Sequence, residues 1–189
     1  MVIVDRLRTR LITRAIRRKL PHMRPFAMLD IGCGYFATQL MANYGDLSEG
    51  WGIDLSIAET CKAMPRLNFL EGPVEDSLPL LAAERFDAVL FISVLEHLWD
   101  PLSALQQCHR ALKEGATLLI NVPTWAARPV LEFSAFRLKT STASSVDDHK
   151  TYYSRRELWP LLVRAGFRPS RIRLTYQYLG MTLFGVVRK

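Results

Sequence analysis

Two aspartates and two glycines stand at spacings that suit the binding of an adenosine-containing ligand. Asp30, Gly32 and Gly34 lie where a first apolar run meets a first helix, and Asp54 ends the next apolar run twenty residues after Gly34. Glycines there let the backbone approach a ligand closely, and a carboxylate at the end of a second strand can accept hydrogen bonds from ribose hydroxyls. The alternative is a glycine turn that serves packing alone, with Asp54 only capping a helix.

The same turn distinguishes between two classes of cofactor. Residues 32–37 fit G-x-G-x-x-A, the dinucleotide fingerprint with alanine in the last place. A dinucleotide pyrophosphate favours a helix N-terminus without nearby negative charge. Asp30 stands two residues before the first glycine, and its carboxylate suits a cofactor with cationic amino and sulfonium groups better than it suits NAD.

Five apolar runs predict the strands that would position these residues. The fourth is apolar at nearly every position, as in a strand that is buried on both faces of a parallel sheet. Two further apolar segments, residues 171–177 and 180–187, close the chain. The five runs are residues 26–31, 50–54, 67–71, 86–92 and 116–122.

Helical segments alternate with these runs. A helix is predicted at about residues 36–44 and another after Ser56, which is placed to cap it. Pro101 begins a helix that extends to residue 112, and Ser154 with Glu157 three residues later predicts a capping box for a last helix. The alternation predicts a doubly wound α/β sheet in a single domain, with its ligand at the carboxyl ends of the first strands.

The positive charge of the chain is confined to its two ends. The net charge over 189 residues is +7, but residues 1–24 carry +7, residues 25–149 carry −8 and residues 150–189 carry +8. The acidic middle contains the cofactor pattern. An overall basic charge therefore does not identify this chain as a nucleic-acid-binding protein.

Composition and cysteine spacing exclude other classes. The longest strongly apolar run, residues 88–95, is too short to span a bilayer, and the N-terminus lacks the apolar core of a secretory signal. The three cysteines are widely spaced, and no Cys/His pair has zinc-ligand spacing. We therefore expect a reduced, cytoplasmic protein without a metal site.

Four ordered motifs carry a resemblance to a known family. Residues 28–35 resemble the first motif of class I S-adenosylmethionine-dependent methyltransferases, and residues 52–56 are similar to its ribose-binding segment. Residues 86–98 resemble the fourth-strand motif, and residues 112–116 the turn before the fifth strand. A later segment, 149–167, is similar to one in small-molecule members. The resemblance implies a Rossmann-like, mostly parallel seven-stranded sheet with helices on both faces.

The resemblance also implies roles for individual residues. Asp30, Gly32 and Gly34 would flank the methionine end of S-adenosylmethionine, with Cys33 contributing backbone groups. Asp54 would hold the ribose hydroxyls and S-adenosylhomocysteine would be the product. Leu55 would lie against the adenine, and Ser93 would offer backbone groups to the cofactor.

The chain departs from the family pattern at two positions. Phe36 stands where a third glycine is common in the first motif. After the third strand the chain has Gly72-Pro73-Val74 where the family often has Gly-Asp-Ala, whose aspartate reads the adenine amino group. Val74 and Glu75 are the candidates that remain for this contact.

Three residues are candidates for the catalytic step. A general base is needed only if the acceptor must lose a proton, and histidine suits that role because its ordinary pKa lies near 6.5. His97 follows the fourth strand, and His149 precedes Tyr152 at the end of a polar loop. The alternative for His97 is a structural role in orienting the turn at residues 96–101.

Two segments outside the cofactor motifs have further predicted roles. Residues 124–150 form an insertion after the fifth strand, predicted to shape the acceptor pocket. Residues 3–20, within the basic segment 1–24 that precedes the domain at 25–189, predict an amphipathic arginine-rich helix. That helix could contact an anionic membrane surface, bind an acidic acceptor or cover the cofactor site.

Three functions remain open from the sequence. The first is methyl transfer to a small molecule, such as a sugar or a lipid-linked intermediate whose phosphates meet the basic ends. The second is RNA methylation, although residues 92–95 lack the Asn/Asp-Pro-Pro-aromatic motif of enzymes that methylate base amino groups. The third is a non-catalytic module that binds S-adenosylmethionine. The oligomeric state is not indicated.

Overall fold

The computed structural model describes residues 13, 14, 17, 18, 24–129 and 149–189. These residues contain seven strands and five α-helices, joined by short turns. The strands are β1 (Phe26–Ile31), β2 (Leu47–Asp54), β3 (Leu67–Glu71), β4 (Phe86–Ile92), β5 (Leu112–Pro123), β6 (Ile172–Gln177) and β7 (Thr182–Arg188). The helices are α1 (Thr38–Asn43), α2 (Glu59–Lys62), α3 (Val74–Ser77), α4 (Pro101–Ala111) and α5 (Arg155–Arg164).

All seven strands form one sheet in the order β3-β2-β1-β4-β5-β7-β6. The first five strands are parallel to one another, and β7 lies antiparallel between β5 and β6. The predicted doubly wound, mostly parallel seven-stranded sheet is therefore confirmed. The chain order reverses between β1 and β4, and this switch point is where an open α/β sheet forms its ligand crevice.

The central strand β1 is buried at every position. Leu29 and Ile31 pack into the core on one face of the sheet, whereas Phe26 and Met28 pack into the core on the other face. This alternation follows from the two-residue period of a strand. Because both faces of the sheet are packed, the ends of the strands are the place where polar groups can contact a ligand.

Several predicted boundaries of strands and helices are confirmed, and others differ in the structure. The bounds of β1, β3 and β4, the start of α4 at Pro101 and the Ser154–Glu157 capping box of α5 are confirmed. The prediction that Ser56 caps a helix is wrong, because α2 begins at Glu59 with Ala58 at its N-cap and no side-chain cap.

Two strands are longer than predicted. β2 begins at Leu47 and β5 at Leu112. In β5, residues 113–115 were expected to form a turn, but the strand continues through them with a shift of register against β4 between Phe86 and Ala88.

Two of the four described residues of the predicted N-terminal helix contact α1. Thr13 and Arg14 are helical, the Thr13 hydroxyl lies 3.0 Å from Gln39 Oε1, and the Arg17 guanidinium donates to the Ala42 carbonyl at 2.5 Å. The rest of that helix, and residues 130–148 of the predicted insertion, lie outside the described residues. No helix within the described ranges has the length and apolarity needed to cross a membrane.

Candidate functional site

The glycine turn after β1 is held against the end of β2. The amides of Gly32 and Cys33 both donate to the carbonyl of Ile53, at 2.8 and 3.1 Å. Gly32 has φ +68°, and a Cβ at this position would lie 2.2 Å from Val94 Cγ2. A side chain is therefore excluded at Gly32 both by the left-handed backbone and by the segment that follows β4.

Gly34 differs from Gly32 because it borders open space. Its φ is +74°, and a Cβ there would meet no atom of the described residues within 4 Å. Its amide donates to Asp54 Oδ2 at 2.7 Å, and the other Asp54 oxygen accepts from the Leu55 amide at 2.8 Å. Each oxygen of an ionised carboxylate has a second lone-pair site, so Asp54 retains acceptor capacity for ligand hydroxyls.

Asp30 is a buried acid at the carboxyl end of the central strand. Only 2% of its surface is exposed, and its Oδ2 has no hydrogen-bond partner among the described residues. Burial, together with the nearby negative charge of Asp54, raises the pKa of Asp30 from 3.8 to about 8. A cationic ligand group beside this carboxylate would compensate for the cost of its ionised form.

The thiol of Cys33 faces the interior. Cys33 is buried, and a Cβ added to Gly52 would lie 2.9 Å from its sulfur. Burial raises the pKa of the Cys33 thiol, with Asp30 and Asp54 adding to the shift. The thiol is therefore protonated and poorly nucleophilic, so the backbone is what this residue offers a ligand.

The residues predicted to meet an adenine ring differ in exposure. The Leu55 side chain is 75% exposed, immediately after Asp54. Val74 is 9% exposed and packs in the core, whereas Glu75 is exposed in the first turn of α3. Leu55 thus presents an open apolar surface, Val74 belongs to the core and Glu75 is exposed, and their contact with adenine stays a prediction.

Glu71 is a residue that the sequence reasoning missed. It ends β3 in register with Asp54, and its Oε1 accepts from the Ile57 amide at 2.7 Å. Its Oε2 lies 2.7 Å from Lys62 Nζ, and hydrogen bonds from Lys62 and then from the Ile57 amide lower the pKa of Glu71. Glu71 therefore positions the segment after Asp54. The signal in the sequence was its place at the end of the third strand.

A second group of predicted residues lies beyond β4. Ser93, with φ +56°, donates its amide to the Asn121 carbonyl at 2.8 Å and so connects the ends of β4 and β5. The next residue, Val94, fills the space beside Gly32, and a 3-10 turn at Leu95–His97 follows. The segment that carries His97 therefore adjoins the glycine turn.

The three candidate catalytic residues are brought together. The rings of His97 and His149 lie edge to face with centroids 4.8 Å apart, and His149 Nδ1 lies 3.3 Å from Tyr152 Oη. The ring of Tyr152 lies 5.6 Å from that of Trp125. His97 and His149 are 52 positions apart in the sequence, yet their side chains are in contact.

Backbone hydrogen bonds position the later part of this group. The carbonyl of Glu96 accepts from the amide of Lys150 at 2.8 Å and from that of Thr151 at 3.3 Å. The amide of Tyr153 donates to the carbonyl of Pro123 at the end of β5. Residues 149–153 are therefore fixed across the ends of β4 and β5, next to the crevice at the switch point.

The hydroxyl of Tyr153 has a different environment from that of its neighbour Tyr152. Its hydroxyl is buried with no hydrogen-bond partner among the described residues. Burial raises the pKa of Tyr153, and the charges of Glu96 and Glu157 add to the shift. Its role is in the core, whereas Tyr152 contacts His149.

The crevice suits an adenosyl sulfonium cofactor. Asp30 provides a buried carboxylate with an unsatisfied oxygen, Gly34 leaves space for close approach, and Asp54 can accept hydrogen bonds at the end of β2. The complementary ligand groups are a cation beside Asp30, a chain that passes close to Gly34, and a pair of hydroxyls that donate to Asp54. The residues present therefore fit the cofactor that the sequence motifs imply.

Comparison with known proteins identifies a family. A family model described as methyltransferase domain matches residues 4–170. The ubiquinone biosynthesis O-methyltransferase of Xanthomonas campestris pv. campestris (strain B100) is 37% identical over 116 residues, which cover 57% of this chain and 46% of that protein. The protein of the same name from Pseudomonas aeruginosa (strain LESB58) is 34% identical over 103 residues, covering 50% and 43%. The chain spans less than half of the length of these relatives.

Solved structures share the fold. A SAM-dependent methyltransferase from Archaeoglobus fulgidus superimposes with a TM-score of 0.70 at 16% identity, covering 96% of this chain and 94% of the other. An S-adenosylmethionine-dependent methyltransferase from Mesorhizobium loti has a TM-score of 0.70 at 17% identity, covering 93% and 96%. The arrangement of strands and helices is thus shared over nearly the whole of each chain.

Proposed function

Because the chain belongs to the methyltransferase domain family, we propose that it transfers a methyl group from S-adenosylmethionine to a hydroxyl oxygen of a small molecule. The observation that carries the proposal is the placement of Asp30, Gly34 and Asp54 around one crevice, with His97 and His149 beside it. The first group of residues fits the cofactor and the second fits an acceptor that must lose a proton.

The residues around the glycine turn would hold the cofactor. When bound, S-adenosylmethionine supplies a methyl group on a positively charged sulfur, which is a good leaving group. Asp30 would face the cationic end, Gly32, Cys33 and Gly34 would line the backbone path, and Asp54 would accept from the ribose hydroxyls. Leu55 would cover one face of the adenine, with Ser93, Val74 and Glu75 as further contacts.

The residues beyond β4 would act on the acceptor. His149 would take the proton from the acceptor hydroxyl, and Tyr152, 3.3 Å from its Nδ1, would orient the imidazole. His97 packs edge to face against His149 and would fix the ring from the other side. Methyl transfer requires the acceptor to be aligned and water to be excluded, and a rigid group on the ends of two strands meets that need.

The relatives support transfer to oxygen. They are named ubiquinone biosynthesis O-methyltransferases, and the similarity covers about half of this chain. Transfer to an oxygen of a small molecule is consistent with the half-buried histidines, since a hydroxyl must be deprotonated. Among small molecules, a sugar or lipid-linked acceptor with phosphates would match the basic ends of the chain, residues 1–24 and 150–189.

Two further assignments belong to this proposal. Residues 124–150 would shape the acceptor pocket, and Trp125 at their start already contacts Tyr152. The basic segment 1–24 would cover the domain beside the glycine turn, which the contacts of Thr13 and Arg17 with α1 support. Since α1 follows that turn directly, Thr13 and Arg17 lie against the helix that adjoins the cofactor crevice.

Calorimetric titration of the purified chain tests the proposal. S-adenosylhomocysteine should bind with one-to-one stoichiometry and NAD should not bind. Incubation with radiolabelled S-adenosylmethionine and a panel of phenols, catechols, sugars and polyprenyl phosphates should then label hydroxyl-containing members. Binding of NAD in place of S-adenosylhomocysteine would refute the cofactor assignment, and labelling of RNA but of no small molecule would refute the acceptor assignment.

A further inference from the structure

A compact set of metal-ligating side chains lies on the acceptor side of the crevice. Glu96, His97 and His149 each offer one ligand atom, and these atoms all lie within 4.8 Å of one another. We infer that Glu96, His97 and His149 bind a divalent transition-metal cation that holds and polarises the acceptor oxygen. This inference rests on the proposed function, because it assigns how the same site activates its acceptor.

The ligand set has a definite chemical preference. Two imidazole nitrogens and one carboxylate oxygen suit zinc, manganese, iron or cobalt better than magnesium or calcium, which prefer oxygen ligands. Ligand atoms at about 2.0–2.2 Å from one such ion lie about 3–3.5 Å apart. The three atoms would therefore approach one another by about 1–2 Å on binding, a distance within reach of side-chain rotation.

The three side chains are buried to different degrees, so one side of the ligand set remains accessible. Glu96 is 1% exposed, whereas His97 and His149 are half-buried. A carboxylate at that depth is costly unless positive charge compensates it, and a divalent cation provides that charge. The partly exposed side remains available to an acceptor oxygen, as in metal sites with three protein ligands and an open position.

The surrounding structure holds the ligands in place. The Glu96 carbonyl accepts from the Lys150 amide next to His149, so the two ligand segments are joined by backbone. Tyr152 lies 3.3 Å from His149 Nδ1 and so orients the His149 ring within the set. The ammonium of Lys150 lies 4.9 Å from the centroid of the Trp99 ring, which places this positive charge on an exposed aromatic surface.

The site also adjoins the methyl donor. Val94, two residues before Glu96, packs against Gly32 in the turn that would flank the cofactor. An acceptor oxygen on the cation would lose its hydroxyl proton to water, because a bound divalent ion lowers the pKa of a coordinated hydroxyl. In this arrangement His149 is a metal ligand, and water replaces it as the proton acceptor. The acceptor oxygen then forms the new C–O bond as the methyl–sulfur bond breaks, and the electron pair of the broken bond remains on sulfur.

The sequence alone gave no indication of such a site. Metal motifs are recognised when ligands recur at short, regular spacing, and His149 follows Glu96 by 53 residues. The hydrogen bonds between residue 96 and residues 150 and 151 bring the third ligand to the other two.

Cobalt binding to the full chain tests this inference. Chelator-treated protein is titrated with Co²⁺ while visible absorption and heat are recorded, since nitrogen ligation gives Co²⁺ characteristic bands. We expect one equivalent to bind. Glu96→Gln and His149→Ala should each weaken binding by more than about tenfold, because loss of even an outer-shell partner costs about 10- to 100-fold in metal affinity.

His109→Asn is the matched control for the loss of a histidine. His109 lies near the end of α4, beside the start of β5 and far from the carboxyl ends of the strands, where it packs against Phe167. Its variant should bind cobalt as the unaltered chain does. Equal cobalt affinity in all four proteins, or no saturable binding by the unaltered chain, would overturn the inference.

Cofactor binding separates this inference from the proposed function. Every variant should retain the affinity of the unaltered chain for S-adenosylhomocysteine and an unchanged circular dichroism spectrum, which shows that the variants fold. If Glu96→Gln does not fold, His97→Gln takes its place as the second ligand variant. Cobalt binding that is lost in the ligand variants supports the metal site even if no protein binds S-adenosylhomocysteine, a result that would refute only the cofactor assignment.

Discussion

The carboxylate of Asp54 accepts a hydrogen bond from the amide of Gly34 at 2.7 Å, although twenty residues separate them in the sequence. The bond fixes the open glycine of the turn against the end of β2. The second oxygen of the Asp54 carboxylate accepts a hydrogen bond from the Leu55 amide. Asp54 therefore shapes the crevice as well as offering acceptors to a ligand.

Asp54→Ala should weaken the binding of S-adenosylhomocysteine by about 1–3 kcal/mol, the scale of lost hydrogen bonds to a charged group. Calorimetric titration measures this change. Asp46→Ala is the control, since Asp46 pairs with Arg24 just before the start of β2, at the opposite end of the strand from Asp54. An unchanged affinity in Asp54→Ala would show that this carboxylate does not contact the ligand.

The two glycines of the turn should respond differently to alanine. Both have positive φ, which costs an alanine about 1–2 kcal/mol. Gly32→Ala also drives a Cβ into Val94 and should lower the free energy of unfolding further, whereas Gly34→Ala places its Cβ in open space and should reduce cofactor affinity instead. Urea denaturation and calorimetry separate these effects.

The pairing of Gly32 with Val94 can be tested directly. The double variant Gly32→Ala/Val94→Ala should recover part of the stability that Gly32→Ala loses, because the clashing methyl group is removed. A double-mutant cycle on the urea midpoints gives the coupling between the two positions. Strictly additive losses would contradict the assignment of Val94 as the group that excludes a side chain at Gly32.

Asp30 should make the stability of the ligand-free chain depend on pH. Its folded-state pKa is raised from 3.8 to about 8, so between these values the folded state binds more protons than the unfolded state. The free energy of unfolding should therefore fall as pH rises from about 4 to about 8 and then level off. In Asp30→Asn this component of the fall should be absent. Urea midpoints at several pH values measure the difference, and identical pH profiles would contradict it.

The outline of the fold could be predicted because the signals for it are local. Phe86–Ile92 is apolar enough to identify a strand that is buried on both faces, and Pro101 marks the first turn of a helix. The start of β5 was missed because residues 113–115 have turn composition, and the strand begins before them at Leu112, which pairs with Phe86. Gly115 has φ +76°, and pairing with β4 resumes at Thr117, so the turn-like residues form an irregularity inside a longer strand.

The candidate site also contains residues that local sequence patterns predict and residues that they do not. Asp30, Gly34 and Asp54 stand at strand ends, where a short pattern reveals them. Glu71 acts through the Ile57 amide and Lys62, and the partnership of His97 with His149 spans 52 residues. Contacts of this kind depend on which strand ends adjoin one another, and that order is set by the whole sheet.

The first turn of α5 should be sensitive to loss of Glu157. Its carboxylate accepts from the Ser154 amide at 2.6 Å and from Trp125 Nε1 at 3.1 Å. Glu157→Ala should lower the free energy of unfolding by about 1–2 kcal/mol, whereas Glu157→Gln keeps the capping acceptor and should cost less. Arg156→Ala, at an exposed position in the same turn, is the control. Equal losses in the three variants would argue against the capping role.

Tyr152→Phe should slow turnover without changing cofactor binding. The substitution removes the hydroxyl that lies 3.3 Å from His149 Nδ1 but keeps the ring that packs beside Trp125. Loss of such an orienting partner reduces activity by about 10- to 100-fold. With an acceptor from the labelling panel, kcat should fall by this factor while the affinity for S-adenosylhomocysteine stays constant. Tyr44→Phe removes a hydroxyl that donates to the Pro65 carbonyl, just before the start of β2 and so at the opposite end of the strands, and should leave kcat unaltered. A fall in cofactor affinity that matches the fall in kcat would instead place Tyr152 on the cofactor side of the crevice.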